Sequence, residues 1–107
     1  METYTNFDPV TLDLGRVRAL AQLVMRCTAY GVELAQVRFF QHGWQVTFKG
    51  LDGDVILHDH SYGHEQYLWE SYCFPWDYGD VSTHDTEEMV NLLHALKYGE
   101  DWKHYLE

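Results

Sequence analysis

The residue types best able to do chemistry crowd into one stretch, His58-Asp59-His60-Ser61-Tyr62-Gly63-His64-Glu65. Neutral imidazoles ligate transition metals, and two histidines spaced i, i+2 on a strand point the same way. His58 and His60 have that spacing, with His64 and Glu65 close behind. A metal-dependent enzyme or metal sensor using His58, His60 and His64 is therefore one reading. The competing reading is a polar sheet edge that runs into a loop, with no metal and no cofactor, and it is the one we expect. The other histidines, His42, His84, His94 and His104, are scattered and read as surface or turn residues.

The pattern H-x-H-x4-E over His58–Glu65 resembles the first metal motif of the cupin barrels, where two His and a Glu bind a transition metal. That resemblance implies a second, later motif with a final His flanked by Gly and Pro, which this chain lacks. Nucleophilic catalysis has less support. Cys73 lies between Tyr72 and Phe74 with no Lys or Arg beside it to favour a thiolate. Ser61, Ser71 and Ser82 lack a G-x-S-x-G setting, and no GxxxxGK loop is present. No catalytic residue is expected.

A second stretch, Ser61 to Asp80, combines rings and acids: Tyr62, Tyr67, Trp69, Tyr72, Phe74, Trp76 and Tyr78 with Glu65, Glu70, Asp77 and Asp80, and no Lys or Arg. Such a segment closes a core, forms a recognition face, or does some of each, because Tyr and Trp join apolar area to a polar handle. The formal net charge is -10, unevenly placed. Residues 1–50 hold five bases (Arg16, Arg18, Arg26, Arg38, Lys49) against four acids; residues 51–107 hold two (Lys97, Lys103) against thirteen. Binding a phosphate backbone needs Lys and Arg to displace counterions, so direct nucleic-acid binding is not expected. A basic partner protein is.

The elements that must position these residues follow from pattern. At 107 residues the chain is one domain, with an expected tail over 1–7. No apolar run is long enough to span a bilayer, and the start lacks a basic and apolar leader, which predicts a cytoplasmic protein without membrane contact. Cys27 and Cys73 read as unpaired thiols. Asp13, or Asp8 ahead of Pro9, starts a helix whose apolar positions run from Leu14 to Thr28; Arg18, Gln22 and Arg26 line its opposite face, and Gly31 ends it. Val32–Gln41 reads as a strand with Ala35, Val37 and Phe39 on one face. His42-Gly43 reads as a turn, with Gly43 supplying the positive φ.

Trp44, Val46 and Phe48 alternate with polar residues, and Asp54–His58 makes a third strand after a turn at 50–53. Leu68–Phe74 is a fourth strand or a short helix, stopped by Pro75. Residues 76–83 read as irregular. Asp85 and Glu88 form a capping signature for a helix over 86–98, ended by Gly99. A short terminal helix brings Trp102, Tyr105 and Leu106 back onto the body. The sum is an α+β domain of order α-β-β-β-(β)-α-α: an antiparallel sheet of three to four strands with both helices on one face.

The run HSYG…LWE…PWDYGDV…TEEM, between about residues 60 and 96, is similar to short proteins encoded by phages and mobile elements of gut Firmicutes. That resemblance implies a setting in which small proteins bind and disarm host machinery, anti-CRISPR proteins among them. Together with the charge it suggests an inhibitor whose acidic aromatic face mimics nucleic acid and occupies a basic nuclease, such as a CRISPR effector. The acids expected at that face are Glu65, Glu70, Asp77 and Asp80, and the anchors Tyr67, Trp69, Trp76 and Tyr78. Aromatic residues dominate interface hot spots, and carboxylates are drawn to a basic cleft at long range. A structural adaptor or homodimer without inhibitory role is the remaining alternative.

Overall fold

The structure is a computed structural model that describes residues 13–106. Asp13 starts α1 (Leu14–Ala29) by accepting the Gly15 N–H at 2.7 Å, satisfying one of the donors a helix start leaves open. The alternative start at Asp8-Pro9 and the tail over 1–7 lie outside the described residues. The helix buries Arg16, Ala19, Leu23 and Cys27, a narrower stripe than its composition suggests. Leu14 and Met25 are 68% and 70% exposed.

Five strands follow in simple meander order: β1 (Leu34–Phe40), β2 (Gly43–Phe48), β3 (Asp54–Leu57), β4 (Trp69–Tyr72) and β5 (Val81–His84), each antiparallel to the next. The last helix, α2 (Thr86–Tyr98), is capped by Asp85, which accepts the Glu88 N–H at 2.8 Å, and ends at Gly99 with φ 70°. Val46 and Phe48 of β2, Val55 and Leu57 of β3, and Trp69 of β4 alternate inward onto Leu23 and Cys27 of α1 and Met89, Val90, Leu92 and Leu93 of α2. Both helices thus cover one face of the sheet, and the chain is α+β. Trp102 and Tyr105 pack against this core around a turn of 3-10 helix at Lys103–Leu106, but Leu106 itself stays exposed. Cys27 and Cys73 are free, and burial pushes the Cys27 thiol up to about 12.

Three details depart from the pattern reading. First, residues 81–83, within the stretch 76–83 read as irregular, form the fifth strand together with His84. Its inward positions are Ser82 and His84, so no apolar alternation marks it. Second, a bulge lies between Leu34 and Gln36 in the pairing of β1 with β2. Leu34, not Ala35, therefore shares the helix-side face with Val37 and Phe39. Third, the β1–β2 turn has its positive φ at Gln41 (51°) and His42 (61°), not at Gly43. Gly43 is needed for another reason: a Cβ there would sit 1.9 Å from the Leu57 carbonyl oxygen. Two non-glycine residues in the left-handed region are costly, so something must hold them.

Candidate functional site

What holds His42 is Arg16. One turn into α1, its guanidinium reaches under the β1–β2 turn, with Nη1 donating to the His42 carbonyl at 2.9 Å and to Asp59 Oδ1 at 2.7 Å. Asp59 Oδ2 lies 2.6 Å from His42 Nδ1, and Arg16 Nη2 lies 3.2 Å from His64 Nδ1. The Trp44 indole N–H closes the group by donating to the Arg16 carbonyl at 2.9 Å. The hydrogen bond from His42, then the Arg16 guanidinium, hold the Asp59 carboxyl below its ordinary 3.8. Arg16 is 7% exposed. Pattern reading counted it only among the five bases of residues 1–50; its spacing from Ala19, Leu23 and Cys27 on the inner stripe was the available signal.

This cluster decides the fate of the histidine stretch. His58, one residue past the end of β3 and so outside the strand expected over 54–58, is buried against Phe40, and its Nδ1 accepts the His60 N–H at 3.1 Å. Burial, then the nearby His60 and Arg16 charges, push its imidazole below 6.5. The His58 and His60 ring centroids are 6.5 Å apart, and His64 turns to Arg16 instead. The cationic group beside His64 Nδ1 is the Arg16 guanidinium. Among the described residues, no group of three or more His, Cys, Asp or Glu is placed to hold a metal ion.

A second polar network lies under β4 and β5. The buried Asp77 carboxylate accepts Ser71 Oγ–H at 2.9 Å, Ser82 Oγ–H at 2.5 Å and the Phe74 N–H at 3.1 Å. The Trp76 indole donates to Ser71 Oγ at 3.1 Å. His84 then bridges Ser82 Oγ (2.7 Å from Nε2) and Glu88 Oε1 (2.5 Å from Nδ1). Serine, imidazole and carboxylate stand here in the order of a nucleophile, its base and an orienting acid. The Ser82 hydroxyl, however, is shared among Asp77, Ser71 and His84, and the neighbouring hollow opens on Asp85, Glu88 and Asn91 rather than on Ser82. Its chemistry is the satisfaction of buried polar groups. His84, read as a surface histidine, is 4% exposed. The signal was its spacing of four before Glu88, with the pair straddling a helix start.

The eight residues expected at a binding face divide. Trp69 (0% exposed) and Trp76 (4%) are core, the latter stacked on Phe74 at 4.8 Å. Glu70 is buried, where it accepts the Tyr62 N–H at 2.7 Å, and Asp77 is buried as described. These four do not belong to an outward surface: Trp69 and Glu70 lie on β4 inside the sheet, Trp76 and Asp77 on the turn that follows it, and each carboxylate accepts from fixed donors. Glu65, Asp80, Tyr67 and Tyr78 do face outward. Tyr67 is partly engaged: its hydroxyl lies 3.1 Å from both Asp13 oxygens, which raises its pKa, and its ring rests where a Cβ on Gly15 would be.

Around these residues the surface is shallow. The groove between α1 and the start of α2 has a volume of about 460 Å³ and is lined by Arg18 and Arg26 on one wall and Asp85 and Glu87 on the other. No helix among the described residues is long and apolar enough to cross a membrane. Comparison with protein-family models, with curated proteins and with solved structures finds no match.

Proposed function

We propose that the protein acts by binding another protein, laying surface carboxylates against a basic, nucleic-acid-binding surface and competing with nucleic acid there. The observation that carries this reading is the outward charge of the second half. Asp52, Glu65, Asp80, Asp85, Glu87, Glu100 and Asp101 are exposed, against Lys97 and Lys103. Exposed rings stand among them: Tyr62 at 70%, Tyr72 at 51% and Tyr78 at 79%. Carboxylates on the loops and helix ends around the sheet raise the encounter rate with a basic cleft, and tyrosines supply the apolar anchors that charge lacks.

The finer claim, that the partner is a nuclease of the CRISPR effector type met in the cytoplasm of a bacterial host, is supported by the phage-protein resemblance alone. The test is a titration against purified basic nucleic-acid enzymes, CRISPR nucleases included, at low and high salt. Binding should weaken steeply with salt, and duplex nucleic acid should displace the protein. Binding that ignores both salt and competing duplex, or no binding to any enzyme tried, contradicts the proposal.

A further inference from the structure

We propose that β5 is a docking edge, on which the partner lays an extended segment with Lys or Arg at alternate positions, adding a strand to the sheet. The inference rests on the reading of a basic partner and names how that partner is held. Register decides which backbone groups of β5 are on offer. The two-residue turn at Gln41-His42 makes Phe40 and Gly43 a hydrogen-bonded pair, and the Lys49 N–H donates to the Glu33 carbonyl at 3.0 Å. Odd-numbered residues of β2 therefore bond to β1 and even-numbered ones to β3. Carried through the pairs Val46–Val55, Ile56–Glu70 and Ser71–Ser82, this alternation turns the N–H and C=O of Ser82 and His84 towards β4. Those of Val81 and Thr83 point away from it. Among the described residues no hydrogen bond is made to these outward groups, and Thr83 is exposed. Such an edge is a template for one more strand.

Charge selects the occupant. Asp80 precedes the strand, and a hollow of about 250 Å³ is lined by Asp85, Glu87, Glu88, Asn91 and Tyr105, with no Lys or Arg. Glu88 is bonded to His84 of β5, so the hollow adjoins the helix-side face of the strand. Side chains alternate across a strand, so every second residue of an added strand points to that side. There a Lys or Arg stem fills the hollow while its charge meets the carboxylates. On the outer face Val81, paired with the 51%-exposed Tyr72, offers apolar contact to the residues between. A second copy of this chain does not fit. Pairing two β5 edges would bring Asp80, Asp85 and Glu87 of both copies together.

The test is titration of the full chain with a capped peptide of about six residues, alternating Lys and Thr, followed by amide hydrogen exchange. We expect binding at about 100 µM, with the Val81 and Thr83 amides gaining protection. The same peptide with its backbone amides N-methylated keeps its charge but cannot donate, and should bind at least about tenfold more weakly. Glu87→Lys alters an exposed side chain and should weaken the unmethylated peptide about tenfold. Equal binding by the two peptides overturns the proposal. So does saturation that leaves Val81 and Thr83 exchanging as in the free chain, or no binding at about 1 mM. Any of these, alongside salt-sensitive binding to basic nucleic-acid enzymes, removes the docking edge and leaves the acidic reading standing. Peptide binding as expected with no enzyme bound keeps the edge and removes the competition with nucleic acid.

Discussion

Within one stretch of similar composition, Trp69–Asp77 and its two flanks meet opposite fates. Trp69, Glu70, Ser71, Phe74, Trp76 and Asp77 are buried, whereas Tyr62 and Glu65 before them, and Tyr78 and Asp80 after, face solvent. Rings and acids occur in both. What separates them is packing. Trp69, Glu70 and Ser71 lie on β4 between β3 and β5. Phe74, Trp76 and Asp77 lie on the turn after it, where Trp76 and Asp77 bond back to Ser71, while the flanks are loops that face outward. An acid survives inside only where fixed donors meet it, as the Tyr62 N–H meets Glu70 Oε1 and as Ser71, Ser82 and Phe74 meet Asp77. Carboxylates of one stretch therefore do two jobs, holding the fold and facing outward.

The inner half should break first. Trp69→Ala removes the largest fully buried side chain and the indole N–H that donates to Thr86 at 3.1 Å. It should cost about 3–5 kcal/mol in urea unfolding. Asp77→Asn keeps the shape but gives up the charge and offers an amide N–H₂ to donors that need an acceptor. It should cost about 2–3 kcal/mol by the same measurement. If either variant unfolds at the wild-type midpoint, the inner half is not the structural half.

The histidine stretch sharpens the comparison through pH. His58 is held below 6.5 by burial, so on acidification the unfolded chain takes up a proton before the folded one does. Its contribution is fully present above that value and is lost as pH falls through the folded pKa. Asp59, held below 3.8, adds a loss of the same sign at lower pH. Stability should therefore decline from about pH 7 towards pH 5, and His58→Gln should flatten that decline in denaturation curves taken across the range. An unchanged slope would contradict the burial account of His58.

Much of this arrangement was legible in the chain. Asp13 and Asp85 cap their helices as their types predict, and the alternation at Trp44, Val46 and Phe48 marks β2. Polar residues in buried roles were not legible. Arg16 reads as one base among the five of residues 1–50, and Ser82 and His84 hide β5, because hydrophobic period detects burial only when burial is apolar. Arg16 finds its partner Asp59 far off in sequence, and Asp77 finds Ser71 and Ser82 only because the chain folds back through a turn. The outward acids and rings were half legible for the same reason. Spacing placed acids beside rings, but nothing local tells Asp77 from Asp80, three residues on.

The smallest expected effect on stability belongs to the outer acids, and there the two jobs separate most cleanly. The triple variant Asp52→Lys/Glu65→Lys/Asp80→Lys changes exposed side chains only. Each substitution should move the unfolding free energy by no more than about 0.5 kcal/mol. Urea unfolding and titration against the basic partner protein, run on the same preparation of this variant, measure both properties at once. The expected result is a near wild-type midpoint with binding weakened at least about a hundredfold. Wild-type affinity in a variant that remains folded would contradict the assignment of function to the outward acids.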